Sequence, residues 1–183
     1  YWDAMAIQTL KISGSALLKP SQFKDSRGCF LSYIGQDILG RLGVDFQFMQ
    51  MNGSLSTATH TLRGLHMQRS PATETKIIRV LSGALWDVIV DLRPESPSYK
   101  QWLGLELRAE DRQVLVIPPG CAHGFLTLRP HTEMMYMVDK TYAPEHELVI
   151  RWNDPSLGIK WPHPPKVISP KDKSAPDFQW TTI

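Results

Sequence analysis

Arg63, His66 and Lys76 fall within a short reach of chain, the first two in Thr61-Leu62-Arg63-Gly64-Leu65-His66-Met67-Gln68 and the third at the head of the next strand-like run. An arginine can grip a phosphate through a bidentate fork. A histidine can move a proton near neutral pH, and a lysine can stabilise an oxyanion. Together they suggest proton abstraction beside a carbonyl on a phosphorylated substrate. A second histidine, His123 in Pro118-Pro119-Gly120-Cys121-Ala122-His123-Gly124-Phe125, and the late Ser169-Pro170-Lys171-Asp172 complete the candidate site.

The elements that must position these groups read mainly as strands. Lys76–Leu81, then Ser82-Gly83, then Ala84–Asp91 has the form of a hairpin with Ser-Gly at its turn. Its apolar residues occupy both strand parities, so both faces are expected to be covered, as in a sandwich with a further interface outside. Trp102–Leu107, Gln113–Ile117, His123–Leu128, Glu133–Val138 and Leu148–Trp152 are further candidate strands. Turn residues separate them at short intervals, the rhythm of an all-β sandwich or barrel. One short helix is expected at Gln36–Leu42, with Ile38, Leu39 and Leu42 on one face and Gly43 as its stop. From Pro155 onward, proline recurs at 162, 164, 165, 170 and 176. That suits an ordered tail wrapped around the barrel, pinned by Trp152 and Trp161, more than regular elements. No repeat, linker or second domain is visible, so residues 1–183 read as one domain. Tyr1-Trp2-Asp3-Ala4 precede Met5, and their position suggests an added leader with Met5 the natural start.

On a regular strand Arg63 and His66 would face opposite sides. Gly64 lies between them, and a bulge there would bring both onto one face. On spacing alone, His66 equally fits a core histidine and Arg63 a surface charge. Pro118-x-Gly120-x-x-His123 has the turn-and-histidine pattern of the cupin barrels, in which this histidine often binds a metal. His66, Gln68, Glu74 and His123 could form a donor set, although a poor one beside the usual three histidines. His123 fits as well as a residue hydrogen-bonded inside the barrel. Tyr136 and Tyr142 share a strand parity, and a phenol there could act as a general acid, stack on a base or simply pack. Asp172 is either a loop carboxylate or the partner that orients His66.

Net charge is +2 and no basic run stands out, which argues against a nucleic-acid scaffold. An anionic ligand must therefore be held by a local cluster. No apolar run approaches the ~18–20 residues of a membrane span, and no signal peptide is visible. Cys29 and Cys121 lie far apart outside any C-x-x-C pattern, so both read as reduced thiols of a cytoplasmic protein.

Seven blocks in fixed order carry a family resemblance: Phe23–Phe30, Gln50–Ser54, Leu62–Gln68, Val90–Arg93, Ile117–Phe125, Trp152–Pro155 and Ser169–Asp172. The chain resembles the dTDP-4-dehydrorhamnose 3,5-epimerases, enzymes of the cupin jelly-roll fold that need no metal or organic cofactor, from about Leu17 to Asp172. The resemblance implies that His66 removes the proton alpha to a C4 ketone, with Asp172 orienting it. Lys76 would stabilise the enolate oxygen, and Tyr136 would return a proton from the opposite face. Arg27, Arg63, Gln50, Asn52, His123 and Lys171 match positions that hold the diphosphate or the sugar, and Tyr142 and Glu147 those at the nucleotide end. Members are usually homodimers whose N-terminal strand adds to the partner's sheet, so Arg27 would serve the neighbouring site. Ser32, Met51 and Met67 depart from the family pattern near the expected nucleotide and sugar pockets. A metal-dependent cupin enzyme and a sugar-nucleotide-binding cupin without turnover are the alternative readings.

Overall fold

The computed structural model describes residues 5–180; the suggested leader Tyr1–Ala4 lies outside them. The strands are β1 (Ala6–Thr9), β2 (Ala16–Lys19), β3 (Ser21–Asp25), β4 (Gly28–Ser32), β5 (Gln50–Ser56), β6 (Thr61–Gln68) and β7 (Lys76–Ser82). There follow β8 (Ala84–Asp91), β9 (Trp102–Arg108), β10 (Val114–Ile117), β11 (Cys121–Thr127), β12 (Thr132–Val138), β13 (Glu147–Val149) and β14 (Val167–Ile168). The helices are α1 (Gln36–Arg41) and α2 (Pro170–Lys173). One sheet has the order β1-β2-β10-β7-β12-β5 and the other β13-β6-β11-β8-β9, with β14 added alongside β6. This is the all-β double sheet that the strand rhythm predicts, in the cupin-type arrangement that the resemblance implies.

Alternation along the strands decides which residues meet between the sheets. Ile78, Val80, Leu115, Ile117 and Met134 of the first sheet pack against Leu85, Ile89, Leu107, Cys121 and Phe125 of the second. Ile78, Leu85, Ile89 and Leu115 are fully buried, each contributing roughly 1.5–3 kcal/mol of transfer free energy. The opposite parity is covered by the chain itself. Ile77, Val114, Val116 and Leu18 meet Ile38, Leu39 and Phe46 around α1. Leu65, Met67, Val88 and Ala122 meet Ile150, Leu157 and Phe178 of the tail. The second interface inferred from apolar residues on both parities is therefore internal to the chain. Among the described residues no helix is long and apolar enough to cross a membrane.

Two expectations need correction. The run Lys76–Asp91 is not a hairpin: β7 pairs with β10 and β12, whereas β8 pairs with β11 and β9. Ser82-Gly83 turns the chain from one sheet into the other. A Cβ on Gly83 would lie 2.3 Å from Thr132 Oγ1, and its φ of +74° favours glycine. The turn residues announce the reversal but carry no information about which strand will be the partner. The tail, secondly, is not purely irregular. Trp161 Nε1 donates to the Trp152 carbonyl at 2.9 Å, anchoring it as expected. Beyond that anchor β14 runs parallel to β6, and one helical turn, capped by the Ser169 hydroxyl at Asp172 N–H (3.1 Å), carries Asp172.

Candidate active site

β6 places the central histidine. Its register against β11 matches Arg63 to Phe125 and His66 to His123, so three steps on β6 face two on β11. The extra residue is a bulge, and it turns both Arg63 and His66 into one cavity. Gly64 permits it: a Cβ there would stand 2.6 Å from the Gly124 Cα and 2.8 Å from the His123 carbonyl, at a φ of +116°.

Asp172 approaches from α2 on the neighbouring tail. Its Oδ1 lies 2.6 Å from His66 Nε2, and its Oδ2 accepts from the Gly64 N–H at 3.1 Å. The carboxylate is nearly buried, with 4% of its side chain exposed, whereas the His66 ring is 35% exposed to the cavity. Burial raises the Asp172 carboxyl's affinity for a proton, but its hydrogen bond to His66, the charge of that ring and the Gly64 N–H outweigh burial, and its pKa falls below the ordinary carboxylate value. An ionised Asp172 fixes the hydrogen of His66 on Nε2 and leaves Nδ1 as the basic nitrogen.

The other sheet supplies Lys76 at the start of β7 and Tyr136 on β12, and both line the cavity. Burial, with the nearby Glu74 charge, pushes the Tyr136 phenol above its usual pKa, while the Asn52 amide and Arg63 pull the other way. The phenol is thus a proton donor at neutral pH. Gln50 and Asn52 project from β5, joined by a 2.7 Å bond from Gln50 Nε2 to Asn52 Oδ1. Arg63 is steadied by Ser56 Oγ and the Leu55 carbonyl, both at 3.2 Å.

The space is a main cavity of about 620 Å³ with an adjoining lobe of about 400 Å³. Arg63, His123, Lys171 and Asp172 line the first, and Gln50, Tyr142 and Glu147 the second. His66, Lys76 and Tyr136 face both, and Asn52 borders the second. At the rim Lys171 Nζ meets both Glu147 oxygens at 2.7 and 2.6 Å, and the Tyr142 hydroxyl donates to Glu147 at 3.2 Å. The Glu147 carboxylate raises the pKa of the Lys171 ammonium, so this cation persists well above neutrality.

Arg27 is the one candidate that does not reach this space. It sits on the β3–β4 turn with its side chain 88% exposed and bonds Asp25 at 2.6 Å. Ser32 and Met51 also stay outside, both exposed, and Met67 packs into the outer core while touching the second lobe. Two of the three departures from the family pattern thus lie off the cavity in this chain. Asp87 is a residue that spacing does not reveal. Wholly buried in the apolar β8, it bonds His123 Nε2 at 2.8 Å and holds that ring inside the main cavity. A charged residue on the inward parity of a core strand is the signal that could have found it. Both cysteines are free thiols, and burial pushes Cys121 up to about 12. Among the described residues no cluster of three or more His, Cys, Asp or Glu is placed to hold a metal ion.

A histidine–carboxylate pair and a phenol on facing sheets define an acid–base enzyme of the cupin type. Comparison with known proteins places it further. The chain belongs to the dTDP-4-dehydrorhamnose 3,5-epimerase family, whose model matches residues 9–179. It is 40% identical over 177 residues to the dTDP-4-dehydrorhamnose 3,5-epimerase of Sinorhizobium fredii, covering 96% of this chain and 91% of that one. It also superposes on the Bacillus anthracis enzyme of that name, solved with TDP and PPi bound, with a TM-score of 0.90 and 43% identity over 96% of this chain and 100% of the other. The dTDP-6-deoxy-D-glucose-3,5-epimerase of Legionella pneumophila, solved with dTDP-4-keto-L-rhamnose, matches with a TM-score of 0.88 and 37% identity over 98% and 95%.

Proposed function

We propose that this enzyme inverts C3 and C5 of a dTDP-4-keto-6-deoxyhexose, on the route to a deoxysugar such as dTDP-L-rhamnose. The observation that carries the reading is the placement of a base and an acid on opposite sheets facing one cavity, His66 on β6 and Tyr136 on β12. A C4 ketone acidifies the hydrogens on both neighbouring carbons. His66 Nδ1 takes such a hydrogen as a proton, the C–H electron pair becomes the new C=C bond, and the carbonyl π pair moves onto O4. The Lys76 ammonium stabilises that oxyanion as it forms. The O4 electron pair then re-forms the carbonyl while the C=C pair takes the Tyr136 proton from the opposite face, inverting the centre, and proton exchange with solvent resets the imidazolium and the tyrosinate.

Binding groups surround this core. Arg63 and Lys171 supply positive charge for the diphosphate, Tyr142 with Glu147 meets the nucleotide end, and Gln50, Asn52 and His123 contact the sugar. Binding energy from the nucleotide positions a ring that would otherwise be held weakly. The enzyme acts in the cytoplasm as a homodimer of one-domain chains. Exposed Met49, Met51 and Leu55 on and beside β5, a strand at a sheet edge, support the association, and Arg27 of the partner subunit would then enter the site.

Incubation with dTDP-4-keto-6-deoxyglucose in D2O tests the reading, with mass spectrometry and proton NMR locating the label. Deuterium at C3 and C5 with inversion at both is expected, and His66→Asn should abolish it. Label at one carbon alone would reduce the enzyme to a single-centre epimerase. Absence of any enzyme-dependent label would refute the reading.

A further inference from the structure

Glu74 lies in the same cavity but has no part in the steps above. Its Oε1 stands 3.4 Å from the Lys76 ammonium, and its Oε2 accepts from Gln68 Nε2 at 3.1 Å. Both side chains of the pair are close to buried, 11% exposed for Lys76 and 13% for Glu74. Gln68 is itself fixed, since Nε2 also reaches the Ala72 and Thr141 carbonyls and Oε1 accepts from the Ala143 N–H at 2.6 Å. The carboxylate is therefore held in one place by a buried amide, and it holds the lysine in turn.

A lone ammonium this far from water is costly and tends to shed its proton. A neutral amine could not stabilise an enolate by charge. We propose that Glu74 is a positioning residue for the epimerisation, a fixed counter-charge that keeps the Lys76 ammonium protonated and placed within the cavity. The inference rests on the epimerase reading for its purpose and on the Glu74–Lys76–Gln68 geometry for its substance. The groups facing the pair are His66 of β6, His123 of β11, Tyr136 of β12 with Asp139 just beyond it, and Glu147 of β13. Burial raises the Glu74 carboxyl's own pKa, and the adjacent Lys76 opposes that rise. The carboxylate also adds to the forces that keep Tyr136 a phenol.

The decisive experiment needs no turnover. Wild type, Glu74→Gln and Glu74→Asp are exposed to acetic anhydride from neutral to alkaline pH, and acetylation of Lys76 is followed by peptide mass spectrometry. Only the free amine reacts. In Glu74→Gln, Lys76 should be acetylated faster than in wild type at the same pH, by about tenfold, while exposed Lys173 reacts unchanged. Glu74→Asp, with the charge restored on a shorter arm, should move part of the way back. An unchanged Lys76 rate in Glu74→Gln would overturn the proposal. With the keto sugar, the alkaline limb of the kcat/KM profile should move to lower pH, with KM at neutral pH little altered. Wild-type protein that fails to turn over would count against the epimerase reading, and the labelling would still decide Glu74.

Discussion

Replacing Asp172 by asparagine should damage the enzyme more than replacing it by alanine. The Gly64 N–H donates to Asp172 Oδ2, and that donor is buried with the carboxylate. An asparagine must present its carbonyl oxygen to Gly64, since two donors cannot face each other. Its NH2 then points at His66 Nε2, where Oδ1 stood at 2.6 Å. To accept that bond Nε2 must give up its hydrogen, and the proton moves to Nδ1, the nitrogen that should be the base. The imidazole is thus locked in the inactive tautomer. Lost stabilisation of the imidazolium by a charged partner adds roughly 1.5–3 kcal/mol, a factor of about 10 to 150. The tautomer penalty multiplies that, and the corresponding carboxylate-to-amide change in a serine-protease triad costs about 10⁴. A fall in kcat of at least ~10³ is expected for Asp172→Asn, against ~10–10² for Asp172→Ala, whose ring is free to choose its tautomer.

The assay is initial-rate deuterium incorporation into the keto sugar, with KM measured alongside to separate binding from chemistry. Equal activity in the two variants, or an asparagine variant within about threefold of wild type, would refute the tautomer argument. The pH behaviour has a fixed sign. Because folding lowers the Asp172 pKa, its contribution is complete above the ordinary carboxylate range and disappears as pH falls through the depressed value.

Tyr136→Phe should separate exchange from inversion: wash-in of deuterium on the His66 face continues, while inversion measured by NMR falls by at least ~10². Gly64→Ala forces a Cβ to within 2.6 Å of the Gly124 Cα at a φ of +116°, so the bulge must shift. A loss of ~2–4 kcal/mol, near 5–15 °C in Tm by calorimetry, should accompany a sharp drop in activity. Asp91 is wholly buried, and although burial raises its pKa, hydrogen bonds from Arg93, Ser96 and Ser98 prevail and bring it down to about 2. Asp91→Asn should therefore cost on the order of 2 kcal/mol at neutral pH, and urea titrations should show the deficit shrinking as pH falls from about 4 towards 2.

What was legible in the sequence is what short-range chemistry controls. The apolar residues on both parities of β8, the turn at Ser82-Gly83, the α1 stop and the glycine between Arg63 and His66 each leave a local mark. The partner of a strand does not, because pairing is decided by how two apolar faces meet across the core. Ser82-Gly83 therefore looked like a hairpin turn when it is a passage between sheets. Asp87 was hidden for a related reason. Surrounded in sequence by Trp86 and Val88, it reads as one polar interruption in a buried strand. Only the antiparallel register that sets Phe125 opposite it and His123 two residues along brings its carboxylate to a ring.

The same logic explains the division of labour in the cavity. A double sheet has two inward faces, and groups drawn from each can approach a flat sugar ring from either side. His66 belongs to one face, and Lys76 and Tyr136 to the other. A helix offering the same residues at i and i+4 would present them from a single side, fit for removing and returning a proton but not for inversion. Asp172 comes from outside both sheets, so its carboxylate reaches His66 without taking up an inward position on either face. The tail achieves this by pairing β14 with the start of β6 and turning into α2, which delivers Asp172 beside Gly64 and leaves the His66 ring open to the substrate.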